Sequence, residues 1–172
     1  AMLTEDTGRK NVAIGYQALR VQNSDADNLN TAVGYQAGVA VTTAVQNTLI
    51  GGLAGTAITT GGFNTAVGYL SGTAITTGTG NAFFGLRAGA GTTTGNANTF
   101  VGGSSNSYAG FANTTGTNNT AVGTDALAAN TTASNNVAVG MDALTANTTG
   151  ASNTAVGQAS MAALTTASFN TA

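Results

Sequence analysis

The chain lacks proline, cysteine, histidine and tryptophan, and only 6% of its 172 residues are charged. Without cysteine there is no disulfide framework, and without cysteine or histidine the usual zinc ligands are missing. Catalysis would have to rely on paired carboxylates. Four basic residues are too few to neutralise the phosphates of a nucleic acid. No run of about 18 apolar residues predicts a membrane span. We therefore expect no cofactor, no nucleic-acid partner, no membrane insertion and no enzymatic activity.

What the chain does contain is a short phrase, Asn-x-Ala-Val-Gly, that returns at nearly constant intervals. Seven of its nine spacings are 17 residues, and the other two are 19 and 21. A period this short and this strict indicates one structural unit stacked on itself. The asparagines of the phrase are Asn11, Asn30, Asn47, Asn64, Asn81, Asn98, Asn119, Asn136, Asn153 and Asn170.

Several positions of the repeat, counted from its asparagine as position 0, are nearly invariant. Position 2 is mostly alanine, and positions 12 and 13 are Thr-Thr in every 17-residue repeat. Position 3 is large and apolar: Ile14, Val33, Ile50, Val67, Phe84, Val101, Val122, Val139 and Val156. Position 4 is always glycine: Gly15, Gly34, Gly51, Gly68, Gly85, Gly102, Gly123, Gly140 and Gly157. We expect this glycine to have a positive φ or to touch another backbone segment.

The pattern predicts an all-β chain, a parallel β-roll or narrow solenoid with rungs of about 17 residues. Each rung should hold two short extended segments separated by two turns, because a repeat of this length has no room for a pair of helices. Like residues then stack roughly 4.8 Å apart, and nine rungs make a rod about 43 Å long. Stacked asparagines can hydrogen-bond from rung to rung.

Strand alternation places positions 2 and 4 on one face and position 3 on the other. If alanine and glycine fill the interior, the position 3 residues form an apolar stripe outside the chain. Such a stripe should be buried against identical chains, with three around one axis as the natural packing. In the alternative, a monomeric solenoid turns its valines inward and its alanines outward. The small interior of a 17-residue rung favours the homotrimer.

The phrases Asn30-Thr31-Ala32-Val33-Gly34-Tyr35-Gln36-Ala37 and Asn11 to Leu19 resemble repeats of bacteriophage tail-fibre proteins. They are also similar, more distantly, to the head repeats of trimeric autotransporter adhesins, which are left-handed trimeric β-rolls. The resemblance implies the rigid shaft of a tail fibre in the virion tail. Its partners would be other tail proteins and a host cell-surface receptor such as a glycan. The alternatives are an adhesin head on a bacterial surface and a glycan-degrading tail spike.

The interruptions of the period supply the candidate sites. The 21-residue rung inserts four residues near Tyr108 and Phe111, which are candidates for stacking on a sugar of a receptor; the alternative is a bulge with no binding role. Asp125 and Asp142 share position 6 in successive rungs, so they could form an acid/base pair or a cation site, although a solvated pair is the plainer interpretation. Asp25 and Asp27 lie in the stretch from Asn23 to Asn28, whose alternating oxygen ligands resemble those of a calcium loop, although a solvated bulge is the plainer interpretation.

Ice-binding solenoids also carry threonine ranks. We expect the irregular rungs to interrupt the Thr-Thr pairs, which argues against that function.

The sequence divides into a lead-in and an array. Residues 1–10 form the lead-in or junction, with Ala1 and Met2 as a remnant of cloning, and residues 11–172 form nine complete rungs and the start of a tenth. We expect the chain to be a piece of a longer array. Most of the charges cluster near the N-terminal end, where they would block stray strand pairing.

Overall fold

The computed structural model describes residues 10–24 and 26–172, and this part of the chain is an all-β parallel solenoid. It contains no helix capable of crossing a membrane within those residues. Its nine strands form one sheet in chain order, and each pairs in parallel with the next. The strands are β1 (Val12–Ile14), β2 (Thr31–Val33), β3 (Thr48–Ile50), β4 (Thr65–Val67), β5 (Ala82–Phe84), β6 (Thr99–Val101), β7 (Thr120–Val122), β8 (Val137–Val139) and β9 (Thr154–Val156).

The register places equivalent positions of the repeat side by side. Ala32 pairs with Leu49 and Val33 pairs with Ile50, so position 2 stacks on position 2 and position 3 on position 3. The prediction of a parallel β-solenoid is confirmed. The irregular spacings are absorbed outside the strands, because β6 and β7 pair in the same register across the longer rung.

Each rung has one strand of three residues, so the predicted second extended segment is wrong. The Thr-Thr pair opposite the strand forms a bend instead. Successive bends are still joined, since the Thr59 N–H donates to the Thr76 carbonyl at 3.0 Å. The position 12 hydroxyls donate to the same carbonyls, as Thr59 Oγ1 does to Thr76 O at 3.2 Å. Side-chain and backbone donors therefore converge on one acceptor.

The predicted alternation between the faces of the sheet is present. Ala66 at position 2 is completely buried, whereas its neighbours Thr65 and Val67 are partly exposed. Ile14 and Val156, at the two ends of the position 3 ladder, are 59% and 61% exposed. The alternative in which valines face inward and alanines outward is therefore wrong for this chain.

Side-chain volume inside the solenoid is balanced between positions 2 and 8. Phe83 and Phe100 occupy position 2 and stack with their ring centroids 5.1 Å apart. Position 8 is then glycine, because a Cβ atom on Gly89 or Gly110 would overlap those rings. In later rungs position 2 is alanine and position 8 is a buried leucine, such as Leu127 or Leu144. Where both positions are small, as in Ala66 and Gly72, side chains of other positions fill the space, because a Cβ atom on Gly72 would overlap Ile75 of the same rung and Phe83 of the next.

From Asn30 to Asn153, the position 0 asparagine of each rung is buried and makes hydrogen bonds in two directions. Its side-chain oxygen accepts the backbone N–H of the next asparagine, for example from Asn98 to Asn81 at 3.0 Å. Its side-chain nitrogen donates across the interior to the carbonyl at position 14, as Asn81 does to Gly95 at 2.9 Å. These amides therefore connect successive rungs and also connect the two sides of one rung.

Left-handed backbone recurs at fixed positions of the rung, a feature that the sequence did not reveal. Position 6 has a φ near +55°, for example in Gln36 (53°) and Arg87 (52°). Position 8 and the residue before each position 0 asparagine, such as Phe63 (62°), also have a positive φ. A left-handed non-glycine residue costs about 1–2 kcal/mol. Bonds between rungs offset that cost, since the Gln36 N–H donates to the Tyr16 carbonyl at 2.8 Å.

We predict that Gly68→Val destabilises the rod strongly. Gly68 has a φ of +134°, and a Cβ there would overlap the carbonyl of Gly85 in the next rung. The combined strain and clash should lower the free energy of unfolding by more than about 2 kcal/mol. Thr65→Val is the control, because Val137 occupies the same position naturally. Equal thermal shifts in the two variants would show that the role assigned to position 4 is incorrect.

A second prediction concerns the buried amides. Asn81→Ala leaves the N–H of Asn98 and the carbonyl of Gly95 without their partners. Each unsatisfied buried group costs about 1–3 kcal/mol, so denaturant unfolding should show a loss of roughly 2–6 kcal/mol. Asn106→Ala, on the exposed insertion, should change stability by less than about 0.5 kcal/mol. A similar small loss for Asn81→Ala would mean that the ladder contributes little.

Candidate functional site

The four-residue insertion of the longest rung folds as a small hairpin. Gly103 and Tyr108 form an antiparallel bridge, and the Ser104 N–H donates to the Ser107 carbonyl at 2.8 Å. Since the hairpin leaves and re-enters the rung at nearly the same point, the rest of the rung stays in register.

The threonine pair therefore continues through the insertion, contrary to expectation. The Thr93 N–H donates to the Thr114 carbonyl at 2.9 Å, and Thr115 is exposed like the other position 13 threonines. The longest rung therefore does not interrupt the threonine rank, and the prediction that it would is wrong.

The two residues predicted to contact a receptor lie together at the base of the hairpin. The ring centroids of Tyr108 and Phe111 are 5.2 Å apart, with the rings tilted by 41°. Tyr108 is fixed in place, because its hydroxyl donates to Ser105 O at 2.8 Å and its N–H donates to Asp125 Oδ1 at 2.9 Å. Phe111 is 40% exposed.

Arg87 joins this pair, although the repeat pattern does not predict it. Its guanidinium carbon lies 5.6 Å from the centroid of the Tyr108 ring, within the range of a cation–π contact. Arg87 has no carboxylate partner within residues 10–24 and 26–172. The site thus has one positive charge, held against an aromatic ring and not neutralised by a neighbouring acid.

A groove with a volume of about 470 Å³ runs beside these residues. Position 9 is small in Thr73 and Ala90 and large in Phe111, and all three residues line the groove. Thr73 and Ala90 leave space that the ring of Phe111 closes on one side. The residues that line the groove are Leu70, Thr73, Arg87, Ala90, Gly91, Phe111, Ala112 and Thr114.

The backbone conformation explains why aspartate suits positions 125 and 142. Both adopt left-handed backbone, with φ values of 57° and 60°, which aspartate tolerates better than most residues. The Asp125 carboxylate accepts the Tyr108 N–H. No hydrogen bond joins the two carboxylates, and the described part of the chain has no cluster of three potential metal-ligating His, Cys, Asp or Glu side chains. Both side chains are partly buried, and their use as an acid/base pair or a cation site stays a prediction.

The other acidic candidate is the pair Asp25 and Asp27. Asp27 forms an ion pair with Lys10, with 2.6 Å between Nζ and Oδ2. Asp25 lies outside the described residues, so the cation site proposed for this pair stays a prediction.

The outer face of the sheet is the second candidate surface. The position 3 residues, including Val33, Val67, Val122, Val139 and Val156, form a continuous ladder along it. No charged residue occupies position 1 or position 3 of the nine strands described. Tyr16 and Tyr35, at the end of the strands, stack with centroids 5.5 Å apart.

No family model, curated protein or solved structure matches this chain.

Proposed function

We propose that this chain is a segment of a rigid trimeric fibre, the shaft of a phage tail fibre that presents a host receptor-binding tip. The observation that carries the proposal is the unbroken apolar ladder on the outer face of the sheet. Within the ladder, Ile50 and Phe84 are 39% and 41% exposed on the single chain, and the interior valines are partly exposed. Soluble proteins rarely leave so long an apolar stripe in water.

The stripe suits burial against copies of the same chain. Each Val, Ile or Phe side chain contributes roughly 1.5–3 kcal/mol when it is fully buried. The absence of charge at positions 1 and 3 removes the desolvation cost that ion pairs would carry. Closed rotational symmetry lets every copy use the same surface, and three sheets around one axis bury all three stripes.

A fibre needs stiffness as well as assembly, and the hydrogen bonds between rungs supply it. Strand pairs, threonine bends and asparagine amides connect each rung to the next at separate points around the coil. Bending the rod would stretch bonds on one side of the coil. The resemblance of the repeat to tail-fibre proteins favours a virion tail over the surface of a bacterium.

The first test of this proposal is the mass in solution. We expect sedimentation equilibrium to give three times the chain mass of 16.6 kDa, because the stripe is buried only in the assembly. A folded particle with the mass of a single chain would contradict the proposal.

A substitution in the stripe tests which surface assembles. Val67→Asp places a charge where the chains should meet, and an unpaired buried charge is costly enough to prevent association. Because Val67 is partly exposed on the single chain, the variant should remain folded and become monomeric. Thr77→Asp adds the same charge to the exposed opposite side of the same rung and should leave the trimer intact. A trimeric Val67→Asp variant would exclude this face as the interface.

A further inference from the structure

We propose that the groove beside the hairpin binds a saccharide that carries a carboxylate, with Phe111 as its platform and Arg87 as its anion-binding group. This inference rests on the proposed function only in taking the ligand to be a host surface glycan. The groove's volume of about 470 Å³ falls in the range of sites that hold small ligands.

The shape and polarity of the groove favour a sugar. Phe111 offers an exposed aromatic face, against which the apolar C–H face of a pyranose ring can lie. Thr114 Oγ1 already donates its hydrogen to Thr131 O at 2.9 Å. Its remaining lone pairs can therefore accept from a sugar hydroxyl. The groove thus combines an apolar wall with a hydroxyl oxygen placed to accept a hydrogen bond.

The backbone of the groove argues against an added peptide strand. The Gly91 N–H donates to the Phe111 carbonyl at 2.9 Å, and the Ala112 N–H donates to the Ala128 carbonyl at 3.0 Å. Because these donors are already used between rungs, an extended peptide would find no free edge there. Recognition must therefore use side chains.

The charge of Arg87 selects the acidic class of sugar. A guanidinium presents paired N–H donors that match the two oxygens of a carboxylate. Asp125, which accepts the Tyr108 N–H beside this site, forms no ion pair with Arg87. Tyr108 holds the guanidinium from one side through the cation–π contact, and the hydroxyl of Tyr108 is itself held by Ser105. The anion site is thus arranged before a ligand arrives.

The experiment is calorimetric titration of the full chain with tri-galacturonic acid and with its methyl ester, and with sialyllactose and lactose. We expect at least one acidic sugar to bind and its neutral counterpart to bind at least about tenfold more weakly. Binding of the acidic sugar should also weaken as salt is raised.

Two substitutions that the repeat itself tolerates locate the site. Arg87→Gln places glutamine at position 6, where Gln17 and Gln36 adopt the same left-handed backbone. Phe111→Ala places alanine at position 9, where the next rung has Ala128. Each should reduce affinity for the acidic sugar at least about tenfold. The affinity of Arg87→Lys should lie between that of Arg87→Gln and that of the wild type. The controls are Arg20→Gln, which removes the same charge elsewhere, and Phe63→Ala, which removes an exposed ring; both should bind as wild type does.

The proposal is overturned if neither acidic sugar binds, if both bind no better than their neutral counterparts, or if Arg87→Gln and Phe111→Ala bind normally. Circular dichroism checks that the variants fold. If Arg87→Gln failed to fold, the methyl ester and the Arg87→Lys variant would still decide the role of the charge. If the chain is a trimer but binds neither acidic sugar, the glycan site is refuted and the fibre proposal is not. If the chain is a monomer that binds an acidic sugar, the fibre proposal is refuted and the glycan site is not.

Discussion

The buried asparagine at position 0 is the constraint on which the rest of the rung depends. Its oxygen accepts the N–H of the next asparagine, at 2.8 Å between Asn30 and Asn47, and its nitrogen reaches the position 14 carbonyl of its own rung. Aspartate could not donate the second bond, and glutamine would be too long for the same span. That carbonyl faces the interior, and position 14 holds small residues such as Ala44 and Gly61, where a Cβ atom on Gly61 would overlap the Gly78 carbonyl of the next rung. The coil's width is therefore set by the length of one amide side chain.

The interior has a second polar ladder, which shows how such ladders must begin and end. Asn113, Asn130 and Asn147 take the place that Val41, Ile58 and Ile75 hold in earlier rungs. Asn130 Nδ2 donates to Asn113 Oδ1 at 2.7 Å, so each member depends on its neighbour. The next residue in this column is Leu164, and Asn147 Oδ1 is buried without a partner. An unsatisfied acceptor of this kind costs about 1–3 kcal/mol, so a polar ladder is favoured as a continuous run.

Stacking explains which features the sequence could predict. A residue that recurs with fixed phase meets its own kind in the next rung, so the period predicted the ladders, the face of Val67 and the crowding at Gly68. The left-handed backbone at position 6 was hidden, because Gln36, Leu53 and Arg87 have no side-chain property in common. The second strand was overpredicted, because threonine pairs are as compatible with a hydrogen-bonded bend as with a strand. Arg87 could not be found, since its contact with Tyr108 exists only after the insertion folds as a hairpin.

The two surfaces that we assign to assembly and to binding tolerate different side chains, because they lie on different parts of the rung. On the sheet, a side chain at position 3 is flanked by its equivalents in the rungs before and after, so a charge there would interrupt the whole stripe. On the turn, position 9 accepts threonine, alanine or phenylalanine without disturbing the bonds between rungs, as the Gly91–Phe111 bond at 2.9 Å shows. The insertion also enters on this side and returns in register. Recognition can therefore vary along the turns of such a rod, while the strands keep the composition that assembly requires.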